Sequence, residues 1–294
     1  MSNATDVKQV VVPLYAADWD GNNKVMPVLR APNAEDGGGL TILRAYAGNQ
    51  AATTSGTAFS LALHNYGTDG TAIKASGGTV AAAIGVLGIP GLTSYFGLLD
   101  LGKPKEGDTV LISSAAGPVG ATAGQIARMK GCRVVGIAGS KEKCDYVKGL
   151  GFDACFSYRG ADLKAAIKEH CPEGVDIYFD NVGAEMLDAA ILNMKEHGRI
   201  VVSGQVSEYN RADDELVGIR NVTRFITHRL RMEGLVVFDY FKQFREAQAE
   251  MAGWIHAGKL QYTEDVSEGI EGSAAAFIGL FEGENLGRRL IKVS

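Results

Sequence analysis

The chain has 294 residues, 46% of them hydrophobic and 21% charged, an ordinary globular composition long enough for two domains or for one domain with a lobe wrapped around it. The net charge is -5, from 29 basic and 34 acidic residues, so the basic face that a nucleic-acid partner needs is not expected. No membrane segment or signal peptide is expected either: residues 1–10 are polar, and the longest nearly apolar run, 80–92, is too short and too rich in Gly to span a bilayer.

Up to about residue 85, short apolar runs at 9–15, 25–29, 40–46 and 58–63 are separated by Gly- and Asn-rich turns, a spacing that predicts an antiparallel β region. From Pro90 onward, strands and helices alternate. Strands are predicted at 109–113, 133–138, 154–157, 175–180 and 199–203, with a further edge or exit strand at 232–238. Helices are predicted at 119–130, 141–150, 161–170 and 184–194, and near the end of the chain a helix over 244–257 is followed by a last strand at 288–293. Apolar strands alternating with helices imply an α/β fold, a doubly wound parallel (Rossmann) sheet whose ligand lies at the carboxyl ends of the strands. The expected organisation is a β-rich N-terminal region at 1–87, a dinucleotide-binding domain at 88–240 and a C-terminal segment at 241–294 that returns to the N-terminal region. Cys132, Cys144, Cys155 and Cys171 form no C-x-x-C pair and read as small apolar packing residues in a reduced, cytoplasmic protein.

The turn between the first strand and first helix of this alternating region, Ser113 to Gly120, fits A-x-G-x-x-G with Ala115, Gly117 and Gly120 at the motif positions. Gly117 would let the backbone approach a pyrophosphate, Gly120 would let the helix pack on the strand, and the helix amino end would supply N–H groups to the phosphates. At the end of the second strand of the region, an NAD site usually offers a carboxylate to the ribose; here stand Gly139, Ser140 and Lys143. A lysine there can meet a 2′-phosphate as a point charge, which favours NADP(H), although Lys143 also reads as a solvated helix residue and Glu142 weighs the other way. Asn181 to Gly183 and Ser203 to Gln205 follow two further strands and are expected to line the same cleft.

Several longer motifs occur in order: Gly91-Leu-Thr-Ser-Tyr-Phe-Gly, Ala115-Ala-Gly-Pro-Val-Gly, Phe179-Asp-Asn-Val-Gly, Gly204-Gln-Val-Ser-Glu-Tyr-Asn, Arg231-Met-Glu-Gly-Leu-Val-Val and Gly283-Glu-Asn-Leu-Gly-Arg. Over roughly 88–293 the chain resembles the zinc-independent medium-chain dehydrogenase/reductases, in their prostaglandin reductase and alkenal/one oxidoreductase branch. The resemblance implies NADPH-dependent reduction of the carbon–carbon double bond of α,β-unsaturated ketones or aldehydes, and a homodimer built by pairing sheet edges. Carried over by position, it implies cofactor contacts at Gly117, Val119, Ser140, Lys143, Tyr158, Asn181, Gly204, Tyr209, Phe238, Tyr240 and Asn285. Tyr209 is the expected catalytic side chain, donating to the enolate oxygen or anchoring the cofactor ribose; a packing role for it, with water or the ribose hydroxyl as donor, stays open. No metal is expected, since His and Cys form no cluster and the Gly-His-Glu signature of the zinc branch is absent.

The family's usual β-rich catalytic lobe is not recognisable in residues 1–85, whose Thr/Gly/Ala-rich runs resemble structural β domains such as those of virion proteins. A divergent lobe, an unrelated replacement and an artificial joining are the three origins open to it, and replacement is favoured. Two further functions therefore stand beside the enone reductase: a quinone reductase, and a non-catalytic fusion protein that keeps a nucleotide-binding domain.

Overall fold

The computed structural model describes residues 9–10, 40–47, 59–66 and 85–292. The chain divides into two compact units, Met1–Gly77 with Val293–Ser294, and Gly78–Lys292. In the first unit, β1 (Gln9–Val10), β2 (Leu40–Ala47) and β3 (Phe59–Tyr66) form an antiparallel sheet in the order β1-β3-β2. Leu40 stands opposite Tyr66 and Ala47 opposite Phe59. The antiparallel reading thus holds over three of its runs; the run at 25–29 lies outside the described residues.

The second unit is built on a six-stranded sheet in which every pairing is parallel. Its strands are β4 (Thr109–Ile112), β5 (Arg133–Ala138), β6 (Ala154–Ser157), β7 (Val175–Asp180), β8 (Met194–Val202) and β9 (Arg231–Gly234), arranged β6-β5-β4-β7-β8-β9. The order reverses between β4 and β7, which makes their carboxyl ends the crevice where such sheets bind ligands. Both faces are covered, and for that reason the strands are apolar at successive positions. Val110, Ile112, Ile177 and Phe179 pack on one face with Ile126 of α2 (Pro118–Met129). Leu111, Val135, Tyr178 and Ile200 pack on the other with Ile167 of α4 (Leu163–His170) and Leu187 of α5 (Ala184–Asn193).

The helices start where local chemistry allows. Pro118 opens α2, where its missing N–H costs nothing. Ser140 caps α3 (Lys141–Gly149) by accepting the Lys143 N–H at 3.3 Å. Asp162 accepts the Ala165 N–H at 3.1 Å and so starts α4 at Leu163, two residues later than its apolar pattern suggested.

Several elements differ from expectation. Strand β8 begins at Met194 because a bulge carries Met194 opposite Val175 and Arg199 opposite Ile177, with His197 at φ 60° inside it; only the stretch from Arg199 keeps the strand period. Strand β9 stops at Gly234, and Val237–Gln243 form a 3₁₀ turn that buries Val237 against Phe96 and Phe244. Helix α1 (Ile89–Phe96), with a π-helical turn at Gly97–Gly102, lies where the sequence pattern predicts no element. After a short helix α6 (Thr223–Thr227), the chain closes with α7 (Phe244–His256), β10 (Glu264–Glu268), α8 (Ser273–Glu282) and β11 (Arg288–Lys292), where β10 and β11 pair in parallel.

Candidate cofactor site at the carboxyl ends of the strands

Ser113 to Gly117 join β4 to α2. Ala115 is fully buried and donates its N–H to the Ile137 carbonyl at 3.0 Å, which ties the turn to β5. A Cβ on Gly120 would run into the Ser114 carbonyl oxygen, so the close packing expected of this glycine is realised against the turn itself. Among the described residues no side chain caps the amino end of α2, and a Cβ on Gly117 would sit 3.2 Å from the Ser114 oxygens, in the space before the helix. Such a turn suits a diphosphate better than it suits any larger residue at position 117.

Polar residues at the ends of β4, β7 and β8 are hydrogen-bonded into one network. The Ser113 hydroxyl donates to Asp180 Oδ1 at 3.1 Å and accepts the Asn181 N–H at 2.8 Å. Asn181 Nδ2 donates to the Ser113 carbonyl at 2.8 Å, and the Ser203 hydroxyl donates to Asn181 Oδ1 at 2.6 Å. Asp180 is fully buried; its Oδ1 also accepts Tyr178 OH at 2.8 Å and the N–H groups of Val182 and Gly183, each at 3.0 Å. Burial raises the Asp180 pKa against these hydrogen bonds, and Oδ2 has no partner among the described residues.

Gly204 and Tyr209 belong to the same margin. Val206 N–H donates to the Asn181 carbonyl at 3.2 Å, and Gln205 N–H donates to the Tyr209 hydroxyl, also at 3.2 Å. Tyr209 is 64% exposed, so its ring faces out and only its hydroxyl is held.

At the end of β5, Ser140 is the α3 cap and the Tyr158 ring lies beside Gly139. Lys143 Nζ donates to the Gly283 carbonyl at 2.6 Å. Its pKa is lowered, first by burial and then by Arg159 and Arg289, with Asp265 opposing. Arg289 is itself held by Asp265, its Nη2 at 2.8 Å. Asn285 Nδ2 donates to the Gly287 carbonyl at 2.9 Å, and Gly287 N–H donates to the Ala116 carbonyl at 3.0 Å, which brings the C-terminal segment to the Gly-rich turn.

Val119 lies in the first turn of α2. Phe238 and Tyr240 sit in the 3₁₀ turn after β9. Phe238 is exposed, whereas Tyr240 stacks on Phe96 at 4.4 Å and donates to Asp100 Oδ2 at 2.5 Å, with its pKa raised to about 12 by burial and by that carboxylate. The structure therefore gathers Ala115, Gly117, Gly120, Asn181, Gly204, Tyr209 and Asn285 through linked contacts, places Ser140, Lys143 and Tyr158 at the end of β5, and turns Tyr240 toward α1. Sequence reasoning assigned no role to Ser113, Asp180 or Gly283, although Ser113 and Asp180 close apolar strands and Asp180 and Gly283 lie within motifs that carry the resemblance; Arg159 and Arg289 carried no signal.

A family model described as "Zinc-binding dehydrogenase" matches residues 118–253. The NADPH complex of CurA from Vibrio vulnificus superposes with a TM-score of 0.72, at 34% identity over 86% of this chain and 80% of that one. The chain belongs to the zinc-independent medium-chain dehydrogenase/reductases. Among other members, an NADP(+)-dependent 2-alkenal reductase of Nicotiana tabacum is 48% identical over 212 residues, 71% of this chain and 61% of that protein. Prostaglandin reductase 1 of Bos taurus is 47% identical over 215 residues, 72% of this chain and 65% of that protein. The chain thus spans less than two thirds of the length of these curated relatives. Among the described residues of the chain, no three His, Cys, Asp or Glu side chains stand together as a metal would need.

Proposed function

We propose that the chain binds NADP(H) at this cleft and reduces the carbon–carbon double bond of an α,β-unsaturated ketone or aldehyde. The observation that carries the reading is the convergence of the β4, β7 and β8 turns on one crevice, with Lys143 and its neighbouring arginines at the far end of the same row. The Gly-rich turn and the amino end of α2 would hold the diphosphate, and Lys143 with Tyr158 the 2′-phosphate end. When bound, the cofactor supplies a hydride to the β-carbon of the enone. The chain's part is to align the two and to meet the charge gathering on the carbonyl oxygen. We assign that part to Tyr209, a reading supported by the hold of the Gln205 N–H on its hydroxyl and by its 64% exposure. The test is NADPH oxidation, followed by absorbance, with short enones, enals and quinones. Turnover of enones is expected; turnover confined to quinones, or none despite NADPH binding, would reject the proposal.

A second reading, a nucleotide-binding fusion protein without turnover, is motivated by residues 1–85, in whose sequence the family's catalytic lobe is not recognisable. It predicts thermal stabilisation by NADPH and no reaction with any substrate in that panel.

The partner we expect is a second copy. Strand β9 closes the sheet on one side, and all four of its residues are exposed, as an edge that pairs with its twin requires. A monomeric mass by light scattering would reject this. No described helix is long and apolar enough to cross a membrane. The four described cysteines are buried and free, which fits the cytoplasmic location we propose; localisation of the tagged protein in cells tests it.

A further inference from the structure

Lys143 does not stand alone in its pocket. Its ammonium donates to the Gly283 carbonyl, 140 positions along the chain, at 2.6 Å. Gly283 ends α8 in the left-handed region, at φ 72°, and that turn decides where its carbonyl points. Four residues later, Gly287 N–H grips the Ala116 carbonyl of the Gly-rich turn at 3.0 Å, and Asn285 braces the bend through the Gly287 carbonyl at 2.9 Å. The segment 283–287 thus runs from the lysine at the end of β5 to the turn at the end of β4.

We propose that Gly283 is a positioning residue for cofactor discrimination: its carbonyl holds the Lys143 ammonium toward the 2′-phosphate and couples segment 283–287 to the presence of that phosphate. The inference rests on the NADP(H) reading of the site. An ammonium has three donors and the carbonyl uses one, so carbonyl and phosphate are held together rather than exchanged. A lysine already gripped gives up less rotamer freedom on meeting a phosphate than a free one does. The carbonyl also lies at a helix carboxyl end, whose partial negative charge offsets the repulsion that Arg159 and Arg289 exert on Lys143. The competing role is plain capping of α8 by a lysine, which would change stability and leave the choice of cofactor alone.

Two substitutions separate these roles. Gly283→Val is a β-branched residue at positive φ, so the backbone must leave the left-handed region and swing the carbonyl away. Gly283→Asn tolerates that region and should keep the carbonyl in place. Among the described residues a Cβ at 283 would meet Lys143 Nζ alone, at 3.8 Å, an ordinary contact, so the first side-chain atom makes no clash and the positive φ is what Val cannot keep. With Kd read from the fluorescence of the reduced cofactors, Gly283→Val should weaken NADPH by about tenfold and leave NADH unchanged, while Gly283→Asn stays within about twofold of the parent for both. Equal weakening of both cofactors by the Val variant, or an unchanged NADPH preference, would overturn the inference.

Lys143→Met distinguishes failure of the inference from failure of the reading beneath it. If that variant keeps the NADPH preference, the 2′-phosphate is not held at Lys143 and the site reading beneath the inference falls; if it loses the preference while Gly283→Val keeps it, only the role of Gly283 falls. A measurement on the unaltered protein guards against a variant that does not fold. Adenosine 2′,5′-bisphosphate should slow amide hydrogen exchange across 283–287 more than 5′-AMP does, and equal protection by the two would count against the coupling.

Discussion

The two ends of the candidate cofactor row are built from opposite materials. Around β4, β7 and β8, short neutral or buried groups do the holding: Ser113, Asp180, Asn181 and Ser203 meet one another at 2.6–3.1 Å with little or no exposure to solvent. At the end of β5, long cationic side chains arrive from segments far apart and repel one another, Arg159 exposed and Arg289 mostly buried against Asp265. Strands of a packed sheet can carry the first arrangement because their ends are fixed by the core beneath. The second depends on helix ends and a returning C-terminal segment, and should yield more easily to salt and to substitution.

The largest effect that tests this contrast is expected at Asp180. Oδ1 accepts four hydrogen bonds in a fully buried site, so Asp180→Ala unpairs Tyr178 OH and the Val182 and Gly183 N–H groups and leaves the Ser113 hydroxyl only the longer contact to the Phe179 carbonyl, at 3.4 Å. A loss of about 3 kcal/mol or more in unfolding free energy is expected from urea melts, with little dependence on ionic strength. Asp180→Asn keeps an acceptor oxygen and should lose less. A change below about 1 kcal/mol for the alanine variant would mean that the network is ornamental and that the contrast between the two ends is not one of rigidity.

A middle-sized effect belongs to Lys143. Lys143→Met removes the ammonium while keeping an apolar stem, so about a tenfold loss of NADPH affinity is expected, with NADH binding and melting temperature nearly unchanged. Equal losses for the two cofactors, measured by titration, would move the 2′-phosphate elsewhere.

How much of this was legible beforehand follows the same division. Strands 133–138, 154–157 and 175–180 agree with the structure residue for residue, because a strand buried on both faces has to be apolar throughout and is bounded by turn residues. The Gly-rich turn was readable from a strand, a glycine pattern and a helix in sequence. By contrast β10, Glu-Asp-Val-Ser-Glu, is a mostly polar strand that its pairing with β11 secures, and helix α1 straddles the end of the nearly apolar run 80–92, with Pro90 and Gly91 at its start breaking any helical pattern. The bond between Ser113 and Asp180 spans 67 positions and that between Lys143 and Gly283 spans 140. No local pattern encodes a contact of that separation; it exists only once the sheet order and the path of the C-terminal segment are fixed.

The smallest effect is the most discriminating, because its two signs oppose. Arg159 is exposed, and its influence on Lys143 is repulsive. If it serves only as surface charge, Arg159→Ala should leave everything unchanged. If it belongs to a basic pocket awaiting a dianion, removing it relieves repulsion in the free protein and weakens the complex. The expected outcome is therefore a free protein equally or slightly more stable, by no more than about 0.5 kcal/mol, and an NADPH affinity lower by about two- to threefold. Raising the salt should shrink the second effect, since an exposed guanidinium acts through a field that ions screen within about 10 Å at 0.1 M. A variant that destabilised the free protein would place Arg159 in the scaffold and remove it from the pocket, and the basic end of the row would then rest on Lys143, with Arg289 already engaged by Asp265.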